Sequence, residues 1–283
     1  GYTLIMAETS LGRMTRKSPV GAFESFGNSR FISIGGWINA IIPILIVPYY
    51  SVIGGWVIKY LIEYFAGHSK TLAGDAYFTT FISNGWSTEI CFIIFTLFTL
   101  GIIYAGVRNG IERVSRFMMP ILIVLSLIIA VYSVTRPGAI EGVKYFLVPN
   151  FDHFSWMTVV SAMGQMFYSL SIAMGILITF GSYMKKDTSI EKSTENVEIF
   201  DTAIAIMAGL MIIPAVFAFS GGNAETLKSG PALMFITIPK VFANMGFGTA
   251  IGVVFFLLVL FAAVTSSIAL TESAVSTFED ELH

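Results

Sequence analysis

Unbroken apolar runs, not alternating ones, set the pattern of this chain. They cover about 36–66, 87–106, 111–135, 156–184, 191–219 and 247–280, with short polar gaps, Gly and Pro between them. As helices rising 1.5 Å per residue, each is long enough to cross a hydrocarbon layer of ~30 Å. Barrel strands would need alternating segments of ~10 residues, which these runs do not show. Lipid offers no partner to backbone N–H and C=O groups, so helices remain. A shorter apolar stretch from Gly1 to about Gly12 reaches only roughly 18 Å, which predicts the tail of a helix begun elsewhere. No basic segment precedes it, as a signal peptide requires. The far end stops at Glu279-Asp280-Glu281-Leu282-His283 directly after an apolar run, and the chain is expected to be part of a longer protein.

Composition sharpens this picture. Of 283 residues, 55% are apolar and 12% charged, with a mean hydropathy of +0.79. Soluble domains carry about 25% charged residues, so the bilayer is the natural surroundings. A net charge of -2, with no basic strip interleaved with aromatics, excludes nucleic acid as a partner. Cys91 is the single cysteine, which rules out an intrachain disulfide and reads as a small buried hydrophobe.

Alternating the connections puts Arg13, Arg16, Lys17, Arg30, Arg108, Arg113, Arg116, Lys185, Lys186 and Lys192 on one side. Lys59, Lys70, Arg136, Lys144, Lys228 and Lys240 fall on the other. The richer side, with the shorter loops, is expected to be cytoplasmic. The external connections are then long, and in the last, about 220–246, Gly230-Pro231 predicts a helix break and a hairpin lid. The expected organisation is a single transmembrane domain over 1–283.

Polar groups in the middle of apolar runs need an explanation. In 156–184, two Gly and two Ser lie among aromatics between Gly164 and Gly175, which predicts a discontinuous helix whose freed backbone groups face a cavity; close helix packing on small residues is the alternative. Asp201 lies roughly 15 Å into its helix, where a carboxylate must meet a cation or carry a proton. The carbonyl of Ala262 and the hydroxyls of Thr265 and Ser266 share one helical face at i, i+3 and i+4. Such oxygens suit a hard monovalent cation, although membrane Ser and Thr also bond back to their own helix. Tyr49 and Tyr50 sit mid-span behind Pro48, away from any interfacial aromatic belt. Glu8 adds another carboxylate. Together these insertions favour a solute pathway over a structural bundle.

The strings Glu8-Thr9-Ser10-Leu11-Gly12-Arg13, Gly110-Ile111-Glu112-Arg113, Gly164-Gln165-Met166-Phe167-Tyr168-Ser169-Leu170-Ser171, Gly181-Ser182-Tyr183, Thr265-Ser266-Ser267 and Phe278-Glu279-Asp280-Glu281-Leu282 resemble, in order and spacing, the neurotransmitter:sodium symporter family and its bacterial amino-acid transporters. The resemblance implies an all-α polytopic membrane protein with the LeuT-like 5+5 inverted-repeat fold. It places the chain from the end of the second family helix to the eighth, so that the first helix and those after the eighth lie outside it.

By that resemblance, two sodium ions and no organic cofactor are expected. The first ion would use Ser169 and Asp201, close to the substrate carboxylate. The second would use the Ala262 carbonyl with Thr265 and Ser266. Tyr50 would hold the substrate carboxylate, while Ile46, Tyr168, Ser171, Met174, Ser266 and Leu270 would line the side-chain pocket. Gln165 and Tyr168 would belong to the external gate. Asp280 would belong to the internal one, with an Arg on the first helix as partner. Glu8 would tie the second helix to the unwound stretch of the sixth.

Two departures carry information. The family commonly has Asn at the position of Asp201, and its animal members place chloride nearby; a fixed carboxylate implies chloride independence. Ala173-Met174-Gly175 stands where the family often has Gly first, and Met174 implies a roomy pocket for a hydrophobic, even aromatic, amino acid. The expected function is sodium-coupled amino-acid symport by alternating access, in the plasma membrane and, on a bacterial source, the inner membrane. A homodimer is among the assemblies the sequence allows. A proton-coupled transporter in which Asp201 carries the proton is the alternative. An intramembrane enzyme is disfavoured, because the three histidines fall in loops or at the terminus and no HExxH motif occurs in any span. A passive channel would want a polar stripe along a pore rather than polar groups at one depth.

Overall fold

Long apolar runs with few charges leave the backbone only its own hydrogen bonds, and the computed structural model is accordingly helical. It describes residues 1–27, 29–152, 154–221 and 230–282, and no strand occurs among them. The helices are α1 (Tyr2–Thr15), α2 (Pro19–Glu24), α3 (Arg30–Phe65), α4 (Ser69–Leu72), α5 (Tyr77–Ser83), α6 (Gly85–Tyr104), α7 (Arg113–Val134), α8 (Ala139–Leu147), α9 (Trp156–Ser169), α10 (Ile176–Tyr183), α11 (Ile190–Ser220), α12 (Ile238–Ala243) and α13 (Gly248–Leu282). π-helical turns at Val107–Glu112 and Leu233–Thr237 lead into α7 and α12.

Among the described residues, five helical stretches are long and apolar enough to cross a membrane: α3, α6, Gly110–Val134, α11 and α13. The sixth expected span, 156–184, is present as two helices, α9 and α10, separated by residues 170–175. It is the discontinuous helix that its Gly and Ser content predicted.

The chain divides into two compact units, one of residues 1–50, 151–203 and 266–283, the other of 51–150 and 204–265. The second is built on an aromatic core. Trp56 meets Phe78 edge-on at 5.2 Å, Phe78 stacks on Phe235 at 5.4 Å, and Tyr60 stacks on Phe256 at 5.3 Å. Such pairs contribute roughly 0.5–1.5 kcal/mol beyond the area they bury. The later part of the connection expected as a lid belongs to this core: Phe235, Ile238, Val241 and Phe242 are buried, and the Tyr60 hydroxyl donates to the Phe235 carbonyl at 2.8 Å. Residues 222–229, Lys228 among them, lie outside the described residues, as do His153 and His283. Lys240 donates to Asp75 and holds its carboxyl below the usual carboxylate range. Burial, and then the Glu63 carboxylate, push the Tyr77 phenol up to about 12.

The first unit is held by the crossing of α1 and α10. A methyl group added at Gly12 would lie 1.9 Å from the Ile178 carbonyl oxygen, and one at Gly181 would lie 2.5 Å from that of Thr9. Neither backbone can yield, so only glycine permits this approach. Ile5 of α1 packs with Leu170 and Ile172 at the break between α9 and α10.

Candidate functional site

The break is made by the backbone. Ser171 (φ 56°), Ala173 (φ 61°) and Gly175 (φ 71°) are left-handed, and for a residue other than glycine this costs roughly 1–2 kcal/mol. Tertiary contacts must therefore hold Ser171 and Ala173. Glu8 of α1 supplies one: its Oε1 accepts the Ala173 N–H at 2.8 Å. In an unbroken helix that N–H would donate to the carbonyl four residues back, at Ser169. The Glu8 bond therefore leaves the Ser169 carbonyl without its helical donor. The second Glu8 oxygen, Oε2, is buried with no hydrogen-bond partner among the described residues.

Ser169 closes α9, and its hydroxyl donates to Oδ1 of Asp201 in α11 at 2.5 Å, a short charge-assisted bond. The Ser169 hydroxyl and the Asp201 carboxylate are thus in contact, and both are hard oxygen donors of the kind a hard cation takes. Tyr50 lies in α3 behind Pro48, with the Ser266 side chain of α13 beside its phenol. Tyr168, half exposed, neighbours Tyr49. Ile46 of α3 and Ser171 and Met174 of the unwound stretch are partly buried, Leu270 of α13 is buried, and Gln165 of α9 is exposed. All eight residues expected to line the substrate site belong to the first unit.

Ala262, Thr265 and Ser266 occupy one continuous helix, α13. The Thr265 hydroxyl donates to the Phe261 and Ala262 carbonyls, both at 3.0 Å, so two of the three oxygens are bonded to each other within their own helix. Asp280 accepts the N–H of Ser18, whose own hydroxyl caps α2 by accepting from Gly21 N–H at 3.3 Å.

One pair escaped the sequence reading. The Tyr183 hydroxyl donates to Oε1 of Glu272 at 2.7 Å, and Glu272 is only 7% exposed. Thr179 lies beside this pair, its hydroxyl 3.4 Å from that of Ser273 and 3.2 Å from that of Ser276. The signal was present: Glu272 is a carboxylate inside an apolar run, the feature that singled out Asp201.

Comparison with known proteins bears on this geometry. The sodium:neurotransmitter symporter family matches residues 82–283. An uncharacterised sodium-dependent transporter of Bacillus subtilis (strain 168), YhdH, is 34% identical over 98% of this chain and 61% of its own length. An uncharacterised sodium-dependent transporter of Haemophilus influenzae is 30% identical over 100% of this chain and 64% of its own. Among solved structures, MhsT in complex with L-phenylalanine is similar with a TM-score of 0.86 and 34% identity, over 100% of this chain and 64% of that one. The chain thus spans about three-fifths of the length of these relatives.

Proposed function

Because the chain belongs to the sodium:neurotransmitter symporter family and is a multi-pass membrane protein, we propose that it forms most of the central part of a sodium-coupled symporter for a hydrophobic amino acid. The observation that carries this reading is the Ser169–Asp201 pair at the broken helix, a cation-ready oxygen set beside an unwound backbone. The L-phenylalanine in the MhsT complex supports the substrate class, as does the flexible Met174 in the unwound stretch.

Sodium is cargo here, and the chain supplies its ligands. Ser169 turns its hydroxyl so that a lone pair joins its carbonyl and the Asp201 carboxylate at the first ion. Ala262, Thr265 and Ser266 serve the second, Thr265 keeping its proton on the helix while its free lone pair faces the ion. Tyr50 orients the substrate carboxylate. Tyr168 and Gln165 close from outside, and Asp280 belongs to the inner gate. Inward sodium movement then drives uptake, with about 2.3 kcal/mol per charge from each 100 mV. Asp201 supplies a fixed negative charge, so chloride is not required. These steps move solutes and need no covalent chemistry.

The test is uptake of pooled labelled amino acids into proteoliposomes holding the full-length parent protein, in chloride-free buffer, with and without an inward sodium gradient. Sodium-dependent accumulation of one hydrophobic amino acid is the expected result. Uptake that follows a pH gradient and ignores sodium would overturn the ligand assignment in favour of proton coupling through Asp201.

A further inference from the structure

A second feature of the first unit has no part in this cycle. Ser10, Arg13, Met14 and Arg16 at the end of α1, with Lys186 and Ile190 at the start of α11, line a cavity of about 320 Å³. Arg13 donates through Nη1 to the Thr188 carbonyl. Arg16 donates through its own Nη1 to the carbonyls of Ser182, at 2.7 Å, and Met184. The Arg16 bonds satisfy carbonyls at the end of α10, the Arg13 bond satisfies one in the connection to α11, and together they fix both guanidinium groups at the cavity wall. They leave Nη2 and Nε of each arginine without a partner among the described residues. Lys186 is exposed and makes no ion pair or hydrogen bond among them. Asp187 and Glu191 are neighbours in sequence but do not line the cavity, and among the described residues neither forms an ion pair with its cations.

Three cations with unused donors, the two guanidinium groups immobilised by backbone bonds and the Lys186 ammonium free to swing in beside them, form a receptor for a phosphate, since the guanidinium fork matches phosphate oxygens. The surroundings specify which phosphate. All three cations belong to the set expected on the cytoplasmic face, where the leaflet is negative. Met14, 66% exposed, and Ile190 give the cavity an apolar flank, which a lipid's glycerol and acyl carbons can cover and a free ion cannot. We propose that this cavity binds the phosphodiester headgroup of an anionic phospholipid of the cytoplasmic leaflet.

The experiment is native mass spectrometry of the full-length parent protein, titrated with phosphatidylglycerol or with phosphatidylcholine of the same acyl chains. Phosphatidylglycerol should be retained preferentially. Lys186→Gln, which breaks no bond of the fold, should weaken that retention about fivefold, as expected for one cation at an anionic surface. Lys186→Glu should weaken it further, and Lys144→Gln, the same charge change outside the cavity, should leave it unaltered. Equal retention of the two lipids, or undiminished retention in both Lys186 variants, would overturn the proposal. Displacement of the lipid by millimolar inorganic phosphate would overturn the lipid assignment, showing that the cavity recognises phosphate alone.

Discussion

Glu8→Ala is the sharpest test of how the broken helix is maintained. The wild-type carboxylate accepts the Ala173 N–H at 2.8 Å, and a hydrogen bond to a charged group contributes roughly 1.5–3 kcal/mol. In the alanine variant that N–H has one ready acceptor, the Ser169 carbonyl four residues back, and taking it would relieve the left-handed conformation at Ala173. The equilibrium constant between the broken and the continued helix should fall by the same free energy, a factor of about 10–150. The apparent sodium affinity is reduced by the competent fraction, so the half-saturating sodium concentration should rise several-fold, and by as much as that whole factor where the continued helix takes over. Glu8→Gln keeps an acceptor oxygen at Oε1 and loses only the charge, so its rise should be several-fold smaller. The assay is sodium-dependent uptake, or a sodium titration of thermal stability, in the full-length parent protein. If Glu8→Ala bound sodium within twofold of wild type while remaining folded, the argument that Glu8 frees the Ser169 carbonyl would be wrong.

Two further outcomes follow from single bonds. Asp201→Asn removes the fixed charge that accepts the Ser169 hydroxyl, so sodium-driven uptake should weaken by an order of magnitude or acquire a chloride dependence; unchanged chloride-free uptake would refute chloride independence through Asp201. Tyr60→Phe strips the buried Phe235 carbonyl of its donor at a cost of about 1 kcal/mol, lowering the melting temperature by about 2–4 °C while half-saturating sodium stays constant; an unchanged melting temperature would show that this bond does not hold the described part of the 220–246 connection.

What could be read from the residues was local. The spans followed from run length, and the break in 156–184 from a concentration of Gly and Ser that a helix tolerates poorly. Its exact form did not follow. α9 runs through Gly164 and stops at Ser169, and two of the three left-handed residues, Ser171 and Ala173, are not glycine. Nothing in their own chemistry asks for that conformation; at Ala173 it is held by Glu8, which lies 165 residues away in sequence. The Gly230-Pro231 signal likewise named a turn without revealing that Phe235 and Phe242 beyond it are core residues, because aromatic burial depends on what else reaches the same place. Glu272 was legible as a carboxylate inside an apolar run, but its partner Tyr183 becomes visible as a partner only once α10 and α13 are packed.

The two proposed ion sites illustrate the same division between local and tertiary order, and it bears on how each would respond to conformational change. Ala262, Thr265 and Ser266 are spaced by one turn of a single helix, so their relative positions persist wherever α13 goes, and their cost is competition from bonds such as Thr265 to Phe261 and Ala262. Ser169 and Asp201 come from different helices, 32 residues apart, and the Ser169 carbonyl is available only while Glu8 holds Ala173. An ion there binds a tertiary arrangement, and its binding free energy is therefore coupled to whether α9, α11 and α1 keep that arrangement. The Ser169–Asp201 site can therefore favour one conformation of the broken helix over another, a property that links sodium binding to a transport cycle.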